Sequence, residues 1–125
     1  MTAIAVPLIE DKIDAWKSWV KDECLGSRKE EFEEFNERMG LTLHRAFLSE
    51  SPHGPVAIVL LEGPGAETFL QKLATSQEPF DEWFRARVEE FHGCDFSELG
   101  AMKMFELVMD WQAPIYVEAG YEIGY

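Results

Sequence analysis

Residues 56–61 read Val-Ala-Ile-Val-Leu-Leu, an unbroken apolar run made mostly of branched side chains. A run of this length and composition suits a strand covered on both faces. Alternation puts Ala57, Val59 and Leu61 on one face and Val56, Ile58 and Leu60 on the other. Immediately upstream stands Ser51-Pro52-His53-Gly54-Pro55, which is turn chemistry throughout. Before that, Leu41 to Glu50 reads as a second strand. Leu41, Leu43, Arg45 and Phe47 share one of its faces, and Thr42, His44, Ala46 and Leu48 share the other. The two strands and their turn make an antiparallel hairpin.

Working outward, Thr2 to Leu8 is short and β-compatible, with Pro7 marking its exit because proline cannot donate to a ladder. Ile13, Trp16, Val20 and Cys24 recur at helical spacing, and acids crowd that helix's first turn, where the dipole favours them. Gly26 is placed to end this helix in a left-handed conformation. Ser27 with Glu30 matches a capping box for a second piece bearing Phe32, Phe35 and Met39. Kink and break are equally compatible with this join.

Beyond the hairpin, Gly63-Pro64-Gly65 is a turn. Phe69, Leu70 and Leu73 then mark a short helix. Ser76 and Pro79 open a longer one, which runs to His92 and stops at Gly93. Phe105 to Trp111 reads as a final strand. The tail alternates Ile115, Val117, Ala119, Tyr121 and Ile123 and suits an edge strand, a strand exchanged with a partner, or a loose end.

The order is βαββαβ, an α+β ferredoxin-like plan. It predicts a four-stranded antiparallel sheet with helices on one face, each helical segment split in two. Residues 1–112 form the domain and 113–125 the tail. The central strand is apolar on both sides, so the sheet face away from the helices would expose a large apolar patch. A second copy related by a two-fold axis is the simplest cover. A homodimer burying more than ~1,000 Å² is therefore expected.

Composition bounds the rest. The chain has 125 residues, 46% of them hydrophobic and 13% aromatic, enough for one domain with its own core. Its formal charge of −13 disfavours nucleic acid and anionic membranes, both of which need clustered Lys and Arg. Cys24 and Cys94 form no CxxC and read as free thiols of a reducing compartment. There is no basic leader region and no apolar run of membrane length. Cytoplasmic location follows by elimination.

The stretch Pro79-Phe80-Asp81-Glu82-Trp83-Phe84-Arg85-Ala86-Arg87-Val88, followed by Glu90-Phe91-His92-Gly93, carries a resemblance. Together with the element order, it looks like the dimeric α+β barrel superfamily. That superfamily includes antibiotic-biosynthesis monooxygenase-like domains and stress-responsive A/B barrel proteins. The likeness is nearest to a small bacterial family that brings no agreed activity. It covers Ile4 to Trp111, and only the helix around Trp83 is motif-like. The resemblance implies a barrel with a cleft between sheet and helices. In that superfamily some members oxidise aromatic substrates without a cofactor and others bind or degrade haem.

Such a cleft needs an apolar lining with a few polar groups. His44 is a candidate general base, or else a hydrogen-bonded strand histidine. His92 is a candidate pocket residue, or else a cap on the C-terminal end of its helix. Trp16, Trp19, Trp83 and Phe84 line an aromatic pocket or belong to the core. Arg45 shares a face with Leu43 and Phe47, so it needs a partner, lies at a dimer rim, or holds a substrate carboxylate. Asp81 and Arg85, spaced i to i+4, suggest a surface ion pair. Glu30, Glu31, Glu33, Glu34 and Glu37 suggest a solvated helix face. No metal motif, phosphate loop or nucleophile elbow is present, and no cofactor is expected.

Three functions follow in order. The first is a dimer binding a small apolar or aromatic ligand. The second is a cofactor-independent, monooxygenase-like enzyme using His44. The third is an acidic module for a basic protein partner.

Overall fold

The apolar run builds the centre of a sheet. In a computed structural model, which describes residues 1–114, 116–118 and 121–123, Thr2–Pro7 (β1), Leu43–Ser51 (β2) and Gly54–Glu62 (β3) form an antiparallel sheet in the order β1-β3-β2. β3 is the middle strand. Ile4 lies opposite Val59 and Phe47 opposite Ile58. Ala57, Val59 and Leu61 face the helices, as do Ile4, Val6 and His44. Val56, Ile58 and Leu60 face the other way and none of them is buried.

The helices all cover one face. Ile13–Ser18 (α1) follows a 3-10 turn and runs straight into a π-helical stretch, Trp19–Ser27. Lys29–Arg38 (α2) leads back to β2. Phe69–Thr75 (α3), Pro79–His92 (α4) and Phe96–Gly100 (α5) follow β3. Pro79 occupies the first turn of α4, and Gly93 ends it with φ of 66°, as expected of a left-handed cap. The five glutamates of α2 are exposed. Gly26 differs from expectation: it lies within the π-helical stretch and is not among the glycines of positive φ. Arg28, at φ −114°, precedes α2, with no side-chain cap.

The four-stranded sheet is corrected to three strands. Residues 101–114 form no ladder, and the expected fourth strand, Phe105–Trp111, meets the sheet through one hydrogen bond, from the Phe105 amide to the Ala3 carbonyl on the free edge of β1. The reason lies in what the preceding segment buries. α5, capped by Asp95 on the Ser97 amide, sinks Phe96 and Leu99 into the core. The residues after it then reach the sheet edge with no apolar layer left to cover them. They form an exposed arm. The tail contributes Tyr116–Glu118 (β4) and Tyr121–Ile123 (β5), paired only with each other. Ile115 and Ala119 of the expected alternation lie outside the described residues.

Two features lock the helix layer. The turn after β3 crosses the turn after α2, where the Gly65 amide donates to Gly40 O at 2.9 Å. A side chain on Gly65 would collide with the Met39 carbonyl. The second feature is a polar knot. Asp81 is wholly buried and accepts hydrogen bonds from both terminal guanidinium nitrogens of Arg38, at 3.0 and 2.7 Å, and from the Ser76 hydroxyl at 2.6 Å. Arg85 is not its hydrogen-bonding partner, contrary to the spacing. It donates to the carbonyls of Leu73 and Ser76 instead. Burial alone would raise the Asp81 pKa, but the hydrogen bonds from Arg38 and Ser76 outweigh it and hold the carboxyl below its usual range.

Gly65→Ala is expected to cost at least about 2 kcal/mol, a fall in Tm of roughly 6–10 °C by calorimetry. Arg38→Met, which strands a buried carboxylate, should cost about 2–3 kcal/mol in urea unfolding. A neutral Arg38→Met would show that the knot contributes nothing to stability.

Candidate functional site

Large rings on the helices face small residues on the strands. Trp19 lies 5.0 Å from Phe84 and 5.4 Å from Phe91, centroid to centroid, and Phe84 lies 4.9 Å from Phe35. These rings brace one helix against the next. On the sheet below, Ala46 and Ala57 are too short to meet them. The gap is a cavity of about 380 Å³ between the helix layer and the sheet.

Its walls are almost wholly apolar, with Phe32, Phe69, Val59 and Leu73 among them. The lining residues that remain exposed are Leu25 on the π-helical stretch and Arg45, Ala46 and Phe47 on β2. They mark the mouth, at the free edge of β2.

His44 is the polar group at the centre of the sheet wall; Arg45 and His92 lie elsewhere in the lining. The period of β2 points it inward, among the rings of Phe32 and Phe69, each at 5.5 Å, and Phe84 at 6.4 Å. Its Nδ1 lies 2.9 Å from Asn36 Oδ1 on α2. With the amide oxygen accepting, Nδ1 carries the proton and Nε2 is left with its lone pair. Burial pushes the His44 pKa down to about 4, so the ring is neutral at pH 7.

Of the residues singled out in the sequence, Trp16, Trp19, His44, Arg45, Phe84 and His92 all line the cavity. Trp83 does not. It lies 6.1 Å from Trp19 on the far side of the ring cluster and is capped by the Arg28 guanidinium, 4.1 Å from its ring centre. His92 is committed elsewhere, because its Nδ1 donates to the Pro7 carbonyl at 2.7 Å. That bond ties the end of α4 to the exit of β1. Burial lowers the His92 pKa, against the opposing pull of that carbonyl.

Trp19 is 5% exposed, its indole N–H is buried without a hydrogen-bond partner, and it belongs to the centre of the core rather than its margin. Arg45 is exposed at the mouth, with no ion pair among the described residues.

Asn36 is the site residue that sequence reasoning missed. The signal was present: Asn36 stands four residues after Phe32, on the buried stripe of α2, and a half-buried amide there needs a partner. Cys24 also lines the cavity. Burial pushes its thiol up to about 12, with Glu23 adding to the effect, so it is an inert wall rather than a nucleophile. Among the described residues no three His, Cys, Asp or Glu side chains gather as a metal-ligand set. Among them also, no helix is long and apolar enough to cross a membrane.

The buried histidine makes stability pH-dependent. An unfolded chain protonates His44 near 6.5 and the folded one near 4. Between those values the unfolded state binds more protons, so stability falls as pH falls. His92 acts in the same direction, while Asp81 loses its contribution only at lower pH. Between pH 7 and 4.5, wild type should lose about 2–3 kcal/mol more than His44→Gln in urea titrations. Equal losses would mean that His44 is solvated and charges freely.

No protein-family model matches this sequence, no curated protein is significantly similar to it, and no solved structure matches its fold.

Proposed function

We propose that this protein binds a small, neutral, apolar or aromatic molecule in the cavity between sheet and helices. The observation that carries the reading is the cavity itself: about 380 Å³, walled by rings and aliphatic side chains, with the neutral His44 imidazole facing in. Pockets of this size and lining are the usual form of small-molecule sites. The Nε2 lone pair gives a ligand hydroxyl or N–H one acceptor, and Asn36 fixes that acceptor's direction. Binding is favoured over the monooxygenase-like alternative by the histidine's state. A base with a pKa near 4 has little driving force to take a proton at neutral pH. The acidic-module alternative rests on the exposed glutamates of α2 alone, and nothing in their geometry selects a partner.

We infer in addition that the working form is a homodimer joined through the outer sheet face. Ala3, Ala5, Val56, Ile58, Leu60 and Phe47 lie on that face, and none is buried. The likeness of the sequence to dimeric α+β barrels supports the same arrangement. Two free cysteines, one of them deep in the core, suit the reducing cytoplasm.

The test uses 2-naphthol, an apolar ring system with one hydroxyl donor. It is expected to quench tryptophan fluorescence and raise Tm, with a Kd in the micromolar range. Val59→Trp, which fills the cavity, should abolish both effects. His44→Phe should weaken 2-naphthol about tenfold while leaving naphthalene unchanged, the worth of one hydrogen bond. No quenching and no thermal shift at millimolar 2-naphthol would overturn the binding reading.

A further inference from the structure

The outer sheet face is too small to hold a dimer alone. Its longer strands have nine residues each. At ~3.3 Å per residue and ~4.8 Å between strands, three strands offer roughly 400 Å² per copy, about half the ~800 Å² of a standard interface. Something contiguous must enlarge it.

The arm is contiguous. It begins on the free edge of β1, where Phe105, Glu106 and Leu107 line a small hollow with Met1, Ala3 and Leu60. From there its apolar side chains point into solvent: Phe105 is 54% exposed, Leu107 70%, Val108 86%, Met109 82% and Trp111 77%. Consecutive exposure on this scale marks an interaction segment rather than ordinary surface.

Charge and symmetry say where the arm goes. Arg45 is the one cation on the outer face of the three strands. Glu62 lies diagonal to it on the same face, but the two form no ion pair, so Arg45 needs a further counter-charge once that face is covered. The arm carries Glu106 and Asp110, both exposed. A two-fold axis between the two outer faces and parallel to the strands sets β3 over the partner's β3, and β1 with its arm over the partner's β2. An axis across the strands would set β1 over β1 and β2 over β2, and keep Arg45 away from the arm. Facing sheets lie ~10 Å apart, and seven extended residues reach roughly 23 Å, so the arm spans the gap.

We propose that the arm of each copy lies along β2 of the other, setting Glu106 and Asp110 against the partner's Arg45 and roofing the mouth of the partner's cavity at Leu25 and Phe47. The site is then finished by the second copy. This rests on the dimer inferred above.

The test is sedimentation equilibrium on the full chain, together with hydrogen exchange of residues 105–111. Wild type is expected to be dimeric at micromolar concentration with a protected arm. Arg45→Glu, and separately Glu106→Arg with Asp110→Arg, should each weaken the dimer tenfold or more and unprotect the arm. Combining all three substitutions should restore both readouts to within about threefold. All these positions are exposed, and unchanged circular dichroism would confirm that the variants fold. A monomeric wild type overturns the dimer and the arm together. A wild-type dimer whose arm exchanges freely, or whose affinity ignores the charge changes, overturns the arm and leaves the dimer standing. Failure of the triple variant to recover overturns the pairing.

Discussion

Ring-to-ring contact between helices sets the thickness of this molecule. Phe84 touches both Trp19 and Phe35, so the three rings join three helical segments. Their combined bulk holds the helix layer at a height that the side chains of β2 and β3 do not fill. Protein interiors close such gaps when side chains can move into them. Here the rings are braced from both sides, and alanine stands where a larger residue would reach up. The cavity is thus a consequence of aromatic packing, and every functional argument depends on that spacing. The Arg38–Asp81–Ser76 knot and the crossed glycine turns belong to the same constraint, because they fix α2 against α4 and α2 against the β3 exit.

A buried charge in such a small protein needs a reason. Ion pairs of this kind often contribute little net stability. What Asp81 supplies is direction. Its two oxygens accept from α2 and from the loop before α4, so only one rotation of α4 satisfies all the donors. That rotation carries Phe84 toward the cavity and Trp83 away from it.

Much of the fold was legible in the sequence, and for local reasons. The hairpin was visible because an apolar run, a Pro/Gly turn and an alternating strand lie next to one another. The limits of α4 were visible because proline and glycine act within one turn of their own position. What stayed hidden depended on distant partners. Asp81 reads as a surface residue until Arg38, 43 positions away in sequence, closes on it. Phe105–Trp111 has the composition of a strand, and nothing in it reveals that α5 has already supplied the apolar residues that cap that end of the core. A 3.6-residue period puts Trp19 beside the stripe of Ile13, Trp16, Val20 and Cys24. In the wider π-helical register Trp19 and Cys24, five positions apart, are both buried. The wall of the site was therefore foreseen better than its polar centre. Rings at helical spacing announce themselves, whereas the Asn36–His44 bond joins a helix to a strand eight residues on.

The π-helical stretch also limits how this chain can vary. Such a stretch corresponds to an α-helix carrying an additional residue, and winding it that way shifts everything downstream by roughly 100° about the helix axis. Deleting one residue between Trp19 and Cys24 would let the coil tighten, turning Cys24 and Leu25 off the cavity roof while every remaining side chain kept its identity. Relatives with one residue fewer in this loop-like coil would share the scaffold and present a differently shaped chamber. Chain length here, more than residue identity, is the variable that sets the chamber's contour.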